Sequence, residues 1–299
     1  MIKTPKRTIC LQSPAKVSVR QGSLQVERAG QTTKIPLEDM WVLIIETHRA
    51  QVSTSALSTL VDSGIGVLIC ADNHMPNGLL LPLGAHSRHA AIVEDQLAIS
   101  KPLSKQLWQK IVVQKIKNQA RVLELQGTDA SSVAKFSSCV RSGDTDNREA
   151  AAAQAYFRLL KEGYTRRSGP LTGALDYGYA ILRAGIAREA VSGGWLISRG
   201  IHHHNAYNAF NLVDDLIEPF RPVIDLMVVQ RHLDGTLSPE KRAQLAQVFE
   251  VLVEVSHTKM NVQTAIQEEL SGLRRSVVEA DASKMSLPKI LPLETAVLE

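Results

Sequence analysis

The sequence predicts an α+β protein, with a small β-rich N-terminal domain followed by a larger, all-helical C-terminal catalytic domain. Two patterns and the break between them carry this reading. Residues 1–82 alternate apolar and polar positions between turn residues, whereas residues 91–280 repeat their apolar positions at helical period. Between them, Pro82-Leu83-Gly84-Ala85-His86-Ser87-Arg88-His89 is punctuated by Gly and Pro and is basic. Residues 83–90 are therefore read as a connector, and 281–299, with Pro288 and Pro292, as a loosely ordered tail.

In chain order, Lys16–Arg20 and Leu24–Glu27 alternate across Gln21-Gly22 and predict a β-hairpin. Thr32–Ile35 continues the pattern, and Trp41–Ile45 and Ile65–Cys70 read as buried strands. Between those two, Ser53 or Ser55 caps a short helix that buries Ala56, Leu57, Leu60 and Val61 and stops at Gly64. Asp72–Gly78 reads as a polar turn before a last short strand at Leu79–Leu81. Residues 101–125 form a helix with Leu107, Trp108, Ile111, Val112, Lys115 and Ile116 in its buried rhythm, and with six basic residues against one acid. A helix this basic suits either phosphate binding or plain solvation. Asp146 or Asn147 caps a helix from Arg148 to Leu160, with Glu149 in its first turn, where the helix dipole favours a carboxylate. Gly163–Pro170 is a basic loop, and Pro170–Val191 a helix whose small residues admit close neighbours. A helix from Asn208 to Glu218 is followed by helical runs at Val223–Val229, after Ser238-Pro239-Glu240, at Phe249–Val255 and at Val262–Leu273.

With 299 residues, 44% apolar and 21% charged, the chain has the composition of a globular protein, and its net charge of +4 permits an anionic partner. Cys10, Cys70 and Cys139 lie far apart and read as reduced thiols. No long apolar run suggests a membrane span, so a cytoplasmic, soluble protein is expected. Sequence patterns for a P-loop, a serine esterase elbow and a zinc protease are absent.

The chemistry concentrates in His202–Pro222, HHHNAYNAFNLVDDLIEPFRP. Asp214 or Asp215 shares a helix face with Glu218, and like charges at that spacing need a cation to offset them. Consecutive histidines point about 100° apart on a helix, so at most one or two can serve one centre. Carboxylates with imidazole suit a hard divalent ion such as Mg²⁺ or Mn²⁺, and with basic helices nearby they point to phosphodiester chemistry.

Asn147-Arg148-Glu149, Leu175-Asp176-Tyr177-Gly178-Tyr179-Ala180-Ile181-Leu182, and His203 through Asp215-Leu216-Ile217-Glu218-Pro219-Phe220-Arg221-Pro222 occur in that order. They resemble the CRISPR-associated spacer-acquisition integrase, most nearly its type II form, and the likeness covers nearly the whole chain. The resemblance implies that Glu149, His203 and Glu218 bind a catalytic Mg²⁺ or Mn²⁺, with Asp215 as a supporting carboxylate; the fifteen-residue step from His203 to Glu218 matches the type II pattern. Tyr177 is expected in the core. The implied reaction is attack by a 3′-hydroxyl of a DNA fragment on a phosphodiester of the repeat array. Arg88, Lys110, Lys117, Arg166 and Arg167 are candidate grips on the DNA backbone. The implied partners are double-stranded DNA, a second copy of the chain paired through the β-rich domain, and a small second adaptation subunit bridging two such dimers; participation of the RNA-guided effector nuclease stays open. A stand-alone nuclease for branched DNA and a non-catalytic DNA-binding scaffold are the alternatives.

Overall fold

The computed structural model describes residues 6–82, 84, 86–161 and 169–296. Its N-terminal part contains β1 (Arg7–Leu11), β2 (Ala15–Arg20), β3 (Ser23–Arg28), β4 (Gln31–Pro36), β5 (Met40–Ile45), β6 (Ala50–Val52), α1 (Thr54–Asp62), β7 (Gly66–Cys70) and β8 (Pro76–Leu80). These strands form two four-stranded sheets, ordered β1-β5-β7-β8 and β4-β3-β2-β6. The β2–β3 hairpin turns on Gln21 and Gly22, both at positive φ (50° and 70°), as a tight turn matched to strand twist requires. Ser53 caps α1, its hydroxyl accepting from Ala56 N at 3.1 Å. β8 begins at Pro76, inside the segment read from sequence as a turn, because its first residues pair with the end of β7.

β5 is buried at all six positions, and this explains its unbroken apolar sequence MWVLII. Met40, Leu43 and Ile45 join the core between the two sheets, while Trp41, Val42 and Ile44 join the core of the helical part. Polar contacts add to this shared packing. Trp41 Nε1 donates to Glu189 Oε1 at 2.7 Å. The buried Glu46 accepts from the Tyr177 hydroxyl, from Arg242 Nε at 2.9 Å and from Gln12 Nε2 at 3.2 Å. Tyr177 is thus a core residue, as expected.

The remainder comprises α2 (His89–Leu97), α3 (Lys101–Leu125), α4 (Ser131–Ser138), α5 (Arg148–Leu160), α6 (Thr172–Ser192), α7 (Asn211–Leu216), α8 (Arg221–Gln230), α9 (Pro239–Ala246) and α10 (Val262–Glu279). α6 is central, touching α7, α8, α9 and α10 as well as β7 and β8. Its small residues permit this. A Cβ on Gly185 would lie 2.4 Å from Phe249 Cε1 and 2.8 Å from Trp41 Cη2, and one on Gly178 would lie 2.6 Å from Ile224 Cγ2.

Two expectations need correction. The C-terminal part is mostly, not wholly, helical, because Val251–Val255 is a strand, β9, rather than part of a helix. It is flanked by β10 (Thr258–Asn261) and β11 (Lys289–Thr295) in a sheet ordered β10-β9-β11. β-Branched valines and the positive φ of Ser256 and His257 (48° and 63°) favour a hairpin over a helical turn. The tail is likewise ordered through Ala296: Lys289 pairs with Glu254 and Ile290 with Val253. Asn118 anchors its start, donating to the Pro288 carbonyl at 2.9 Å and accepting from Ile290 N at 3.3 Å. Pro292 is tolerated because β11 lies at the sheet edge.

Gly185→Ala should destabilise the protein by about 1–3 kcal/mol, the usual cost of overpacking a tight core, measured as a lower midpoint in denaturant unfolding.

Candidate active site

Three separated segments meet on one face of α3. Lys115, on that helix, is buried, and its Nζ lies 2.5 Å from Glu149 Oε1 of α5 and 2.5 Å from Glu218 Oε2, just beyond α7. The Lys115 ammonium is the only partner of Glu218 Oε2 among the described residues. Glu218 Oε1 accepts from Arg221 Nε at 2.9 Å. Glu149 is placed by the start of α5, which Asp144 caps: its carboxylate accepts from Arg148 N at 2.8 Å and Glu149 N at 3.0 Å. Asp146 and Asn147 were the expected caps. Asn147 instead sits at φ 52°, with no capping bond from its side chain.

The histidines lie in a loop, not a helix, and of the helix expected over Asn208–Glu218 only Asn211–Leu216 is helical. Asp215 is wholly buried and organises this loop, accepting from Ile201 N (2.5 Å), His202 N (2.9 Å) and His203 N (3.1 Å). Its Oδ1 also lies 2.6 Å from His203 Nδ1. An ionised carboxylate only accepts, so Nδ1 carries the proton and Nε2 is left for another partner. His202 stacks on Trp108 at 4.3 Å between ring centroids, and His203 meets the same indole edge-on at 5.5 Å. The triplet is thereby sorted: His203 alone is held by a buried carboxylate. Asn211 ties the loop, its amide donating to the carbonyls of Ser198 (3.0 Å), Asn205 (2.9 Å) and Asn208 (3.1 Å). Gly200 is needed for closure, since a Cβ there would lie 2.4 Å from the His203 carbonyl oxygen and 2.7 Å from Asp215 Oδ2.

The charges are mutually compensated. Burial disfavours an ionised Glu218, but Arg221 and Lys115 outweigh it and hold the carboxyl at about 2. Burial likewise opposes the Lys115 ammonium, which Glu218 and Glu149 nonetheless keep above its ordinary value. His203 is raised, first by its hydrogen bond to Asp215. Asp214 turns away, paired with Arg183 at 2.7 and 2.8 Å.

As placed, no three His, Cys, Asp or Glu side chains among the described residues are grouped closely enough to hold a metal ion. The donor chemistry nevertheless fits one. Two carboxylates already converge on a cation, the Lys115 ammonium, and a carboxylate behind Nδ1 is the usual support of a metal-binding imidazole. Glu149, Glu218 and Nε2 of His203 are the groups that would hold it.

Sequence reasoning missed the role of Lys115. It counted the residue within the buried rhythm of α3, although a lysine at a core position implies a carboxylate partner. Two of the proposed DNA grips, Lys110 and Lys117, face away from Lys115. They lie on one stripe of α3, roughly 140–160° around the helix from Lys115. Lys110 Nζ donates to the carbonyls of Ala282 (2.9 Å), Ser283 (3.0 Å) and Met285 (3.2 Å), which makes it a fastening for the chain after α10. Lys117 and Arg88 are exposed. Arg166 and Arg167 lie outside the described residues. No helix among the described residues is long and apolar enough to cross a membrane.

A family model described as CRISPR associated protein Cas1 matches residues 9–264. CRISPR-associated endonuclease Cas1 of Neisseria meningitidis serogroup C is 38% identical over 296 residues, covering 96% of this chain and 97% of the relative. A CRISPR-associated endonuclease Cas1 of Pyrobaculum aerophilum is 27% identical over 288 residues, covering 88% and 96%. Among solved structures, a casposase bound to integration product aligns with a TM-score of 0.76 at 16% identity, over 93% of each chain. A Cas1 protein from Thermotoga maritima aligns at 0.74 with 16% identity, over 91% of this chain and 97% of that one. A chain of a Cas6-RT-Cas1–Cas2 complex aligns at 0.73 with 19% identity, over 97% of this chain and 37% of that larger one. At such identities the structural matches establish a shared fold.

Glu218 ionises at about 2 in the fold against an ordinary 4.5. Its contribution to stability is therefore complete above pH 4.5 and is lost as pH falls through 2. Denaturant unfolding from pH 6 down to pH 3 should show wild-type stability falling, with on the order of 3 kcal/mol at stake over the full window; Glu218→Gln should flatten that part of the curve.

Proposed function

Because the chain belongs to the CRISPR-associated Cas1 family, we propose that it is a divalent-metal-dependent DNA integrase and endonuclease that inserts short DNA fragments into a CRISPR repeat array. The observation that carries this reading is the convergence of Glu149 and Glu218, from separate segments, on one cation, with His203 backed by Asp215 on the same side of α3. Glu149, His203 and Glu218 are the catalytic and metal-binding residues, and Asp215 is the residue that positions His203. A bound Mg²⁺ or Mn²⁺ supplies positive charge to a phosphodiester oxygen and lowers the pKa of the attacking 3′-hydroxyl. Asp215 fixes the ring of His203 through Nδ1, Trp108 limits its tilt from one side, and Lys115 and Arg221 keep Glu218 ionised.

One phosphodiester replaces another in this reaction, so no nucleotide hydrolysis is needed, in keeping with a sequence that lacks a P-loop. Exposed Arg88 and Lys117, together with Arg166 and Arg167, are the candidate contacts to duplex DNA. Such contacts weaken with salt. A homodimer through the N-terminal sheets is favoured by the unpaired edge of β8 and by the exposed apolar side chains Ile69 and Leu80. A small Cas2-type subunit joining two dimers is the further partner this reading requires.

Purified protein, with and without that subunit, should be incubated with a labelled fragment and a supercoiled repeat plasmid in Mg²⁺ or Mn²⁺. Joined product is expected, whereas cutting without joining would leave only a nuclease. Glu149→Ala, His203→Ala and Glu218→Ala should each lower joining at least about a hundredfold, the loss typical of removing one electrostatic stabiliser of a transition state. Asp215→Asn should lower it about ten- to a hundredfold, as for a residue that supports a metal ligand. Divalent-dependent activity that survives all three alanine changes would overturn the site assignment, and a wild type with DNA binding but no such activity would be a DNA-binding scaffold.

A further inference from the structure

Lys115 lies where Glu149 and Glu218 meet, with its Nζ 2.5 Å from a carboxylate oxygen of each. The residue is 7% exposed and lies midway along a 25-residue helix, so its ammonium is largely withdrawn from solvent. The local charges are already nearly offset. Three carboxylates, Glu149, Glu218 and the Asp215 behind His203, stand against two cations, Lys115 and Arg221. A divalent ion added to this largely buried group would turn its net charge positive in a medium that screens charge poorly. A DNA phosphodiester brings negative charge to the same place.

We propose that Lys115 is a built-in counterion, holding the position between Glu149 and Glu218 until a DNA phosphate arrives, and so making divalent-ion binding conditional on DNA. The inference rests on the reading that Glu149, His203 and Glu218 hold the ion. It casts Lys115 as a positioning residue that keeps Glu149 and Glu218 drawn together while no ion bridges them. By linkage, DNA raises ion affinity by the same factor as the ion raises DNA affinity.

The test is Mn²⁺ titration of the full chain, following free Mn²⁺ by electron paramagnetic resonance, with and without a short duplex that lacks repeat sequence. Wild type should bind Mn²⁺ at least about tenfold more tightly with DNA, given the strength of charge interactions at these separations. Lys115→Met should tighten binding without DNA by a similar factor and largely remove the dependence on DNA, while Lys115→Arg should keep the wild-type pattern. If Lys115→Met does not fold, Lys115→Gln provides the same readout, and equal wild-type affinity with and without DNA overturns the proposal by itself. Unchanged Mn²⁺ binding in a folded, uncharged Lys115 variant also overturns it, provided Glu149→Gln and Glu218→Gln abolish binding. If those two changes leave Mn²⁺ binding intact, the site assignment fails instead.

Discussion

Three carboxylates within five residues, Asp214, Asp215 and Glu218, can be carried by a mostly buried segment only if each has its own compensation. The helical part supplies three different kinds. Asp214 has the Arg183 guanidinium, Asp215 has three backbone N–H groups and an imidazole, and Glu218 has Lys115 and Arg221. These solutions are not interchangeable. The backbone donors pin a loop, the guanidinium binds two elements together, and the lysine links two acids that are distant in sequence. The loop that presents His203 is thus a consequence of burying Asp215, since the amides it orders are those of residues 201–203.

The same logic of buried acids ties the molecule together beyond the site. Glu46, at the end of β5, gathers donors from Tyr177 on α6 and Arg242 on α9, and Glu189 on α6 accepts from Trp41 on β5 and from Gln267 on α10. Apolar packing runs through the same elements, since Trp41 is in edge contact with Phe249 at 4.4 Å between ring centroids. α6 can bring these groups together because Gly178 and Gly185 let its neighbours approach closely.

Much of this was legible in the sequence because it depends on local pattern. The β2–β3 hairpin, the α1 cap, the full span of α3 and the small-residue character of α6 follow from periodicity, turn chemistry and residue size. Glu149, His203 and Glu218 were marked by resemblance, and the structure brings the two acids together while singling out His203 among its neighbours by its carboxylate. What could not be read depends on distant partners. Val251–Val255 is a strand because Lys289–Thr295 and Thr258–Asn261 pair with it, and the tail is ordered because Asn118 receives it. Asp144 rather than Asp146 caps α5, a choice made by the turn geometry at Asp144 and Asn147, both at positive φ. Lys110 and Lys115 look alike on α3, yet one fastens main-chain carbonyls and the other bridges acids. Only the placement of their neighbours separates them.

The fastening of the β-rich part to the helices has a mechanical corollary. With Glu46 and Glu189 each bonded across the junction, the described residues of the two parts are fastened to one another. Any pairing of subunits through the N-terminal sheets therefore fixes the distance between their two reactive centres as a property of folded protein. The separation would then be set by the contacts of β5 with α6 and would be as constant as the packing of Trp41 against Phe249.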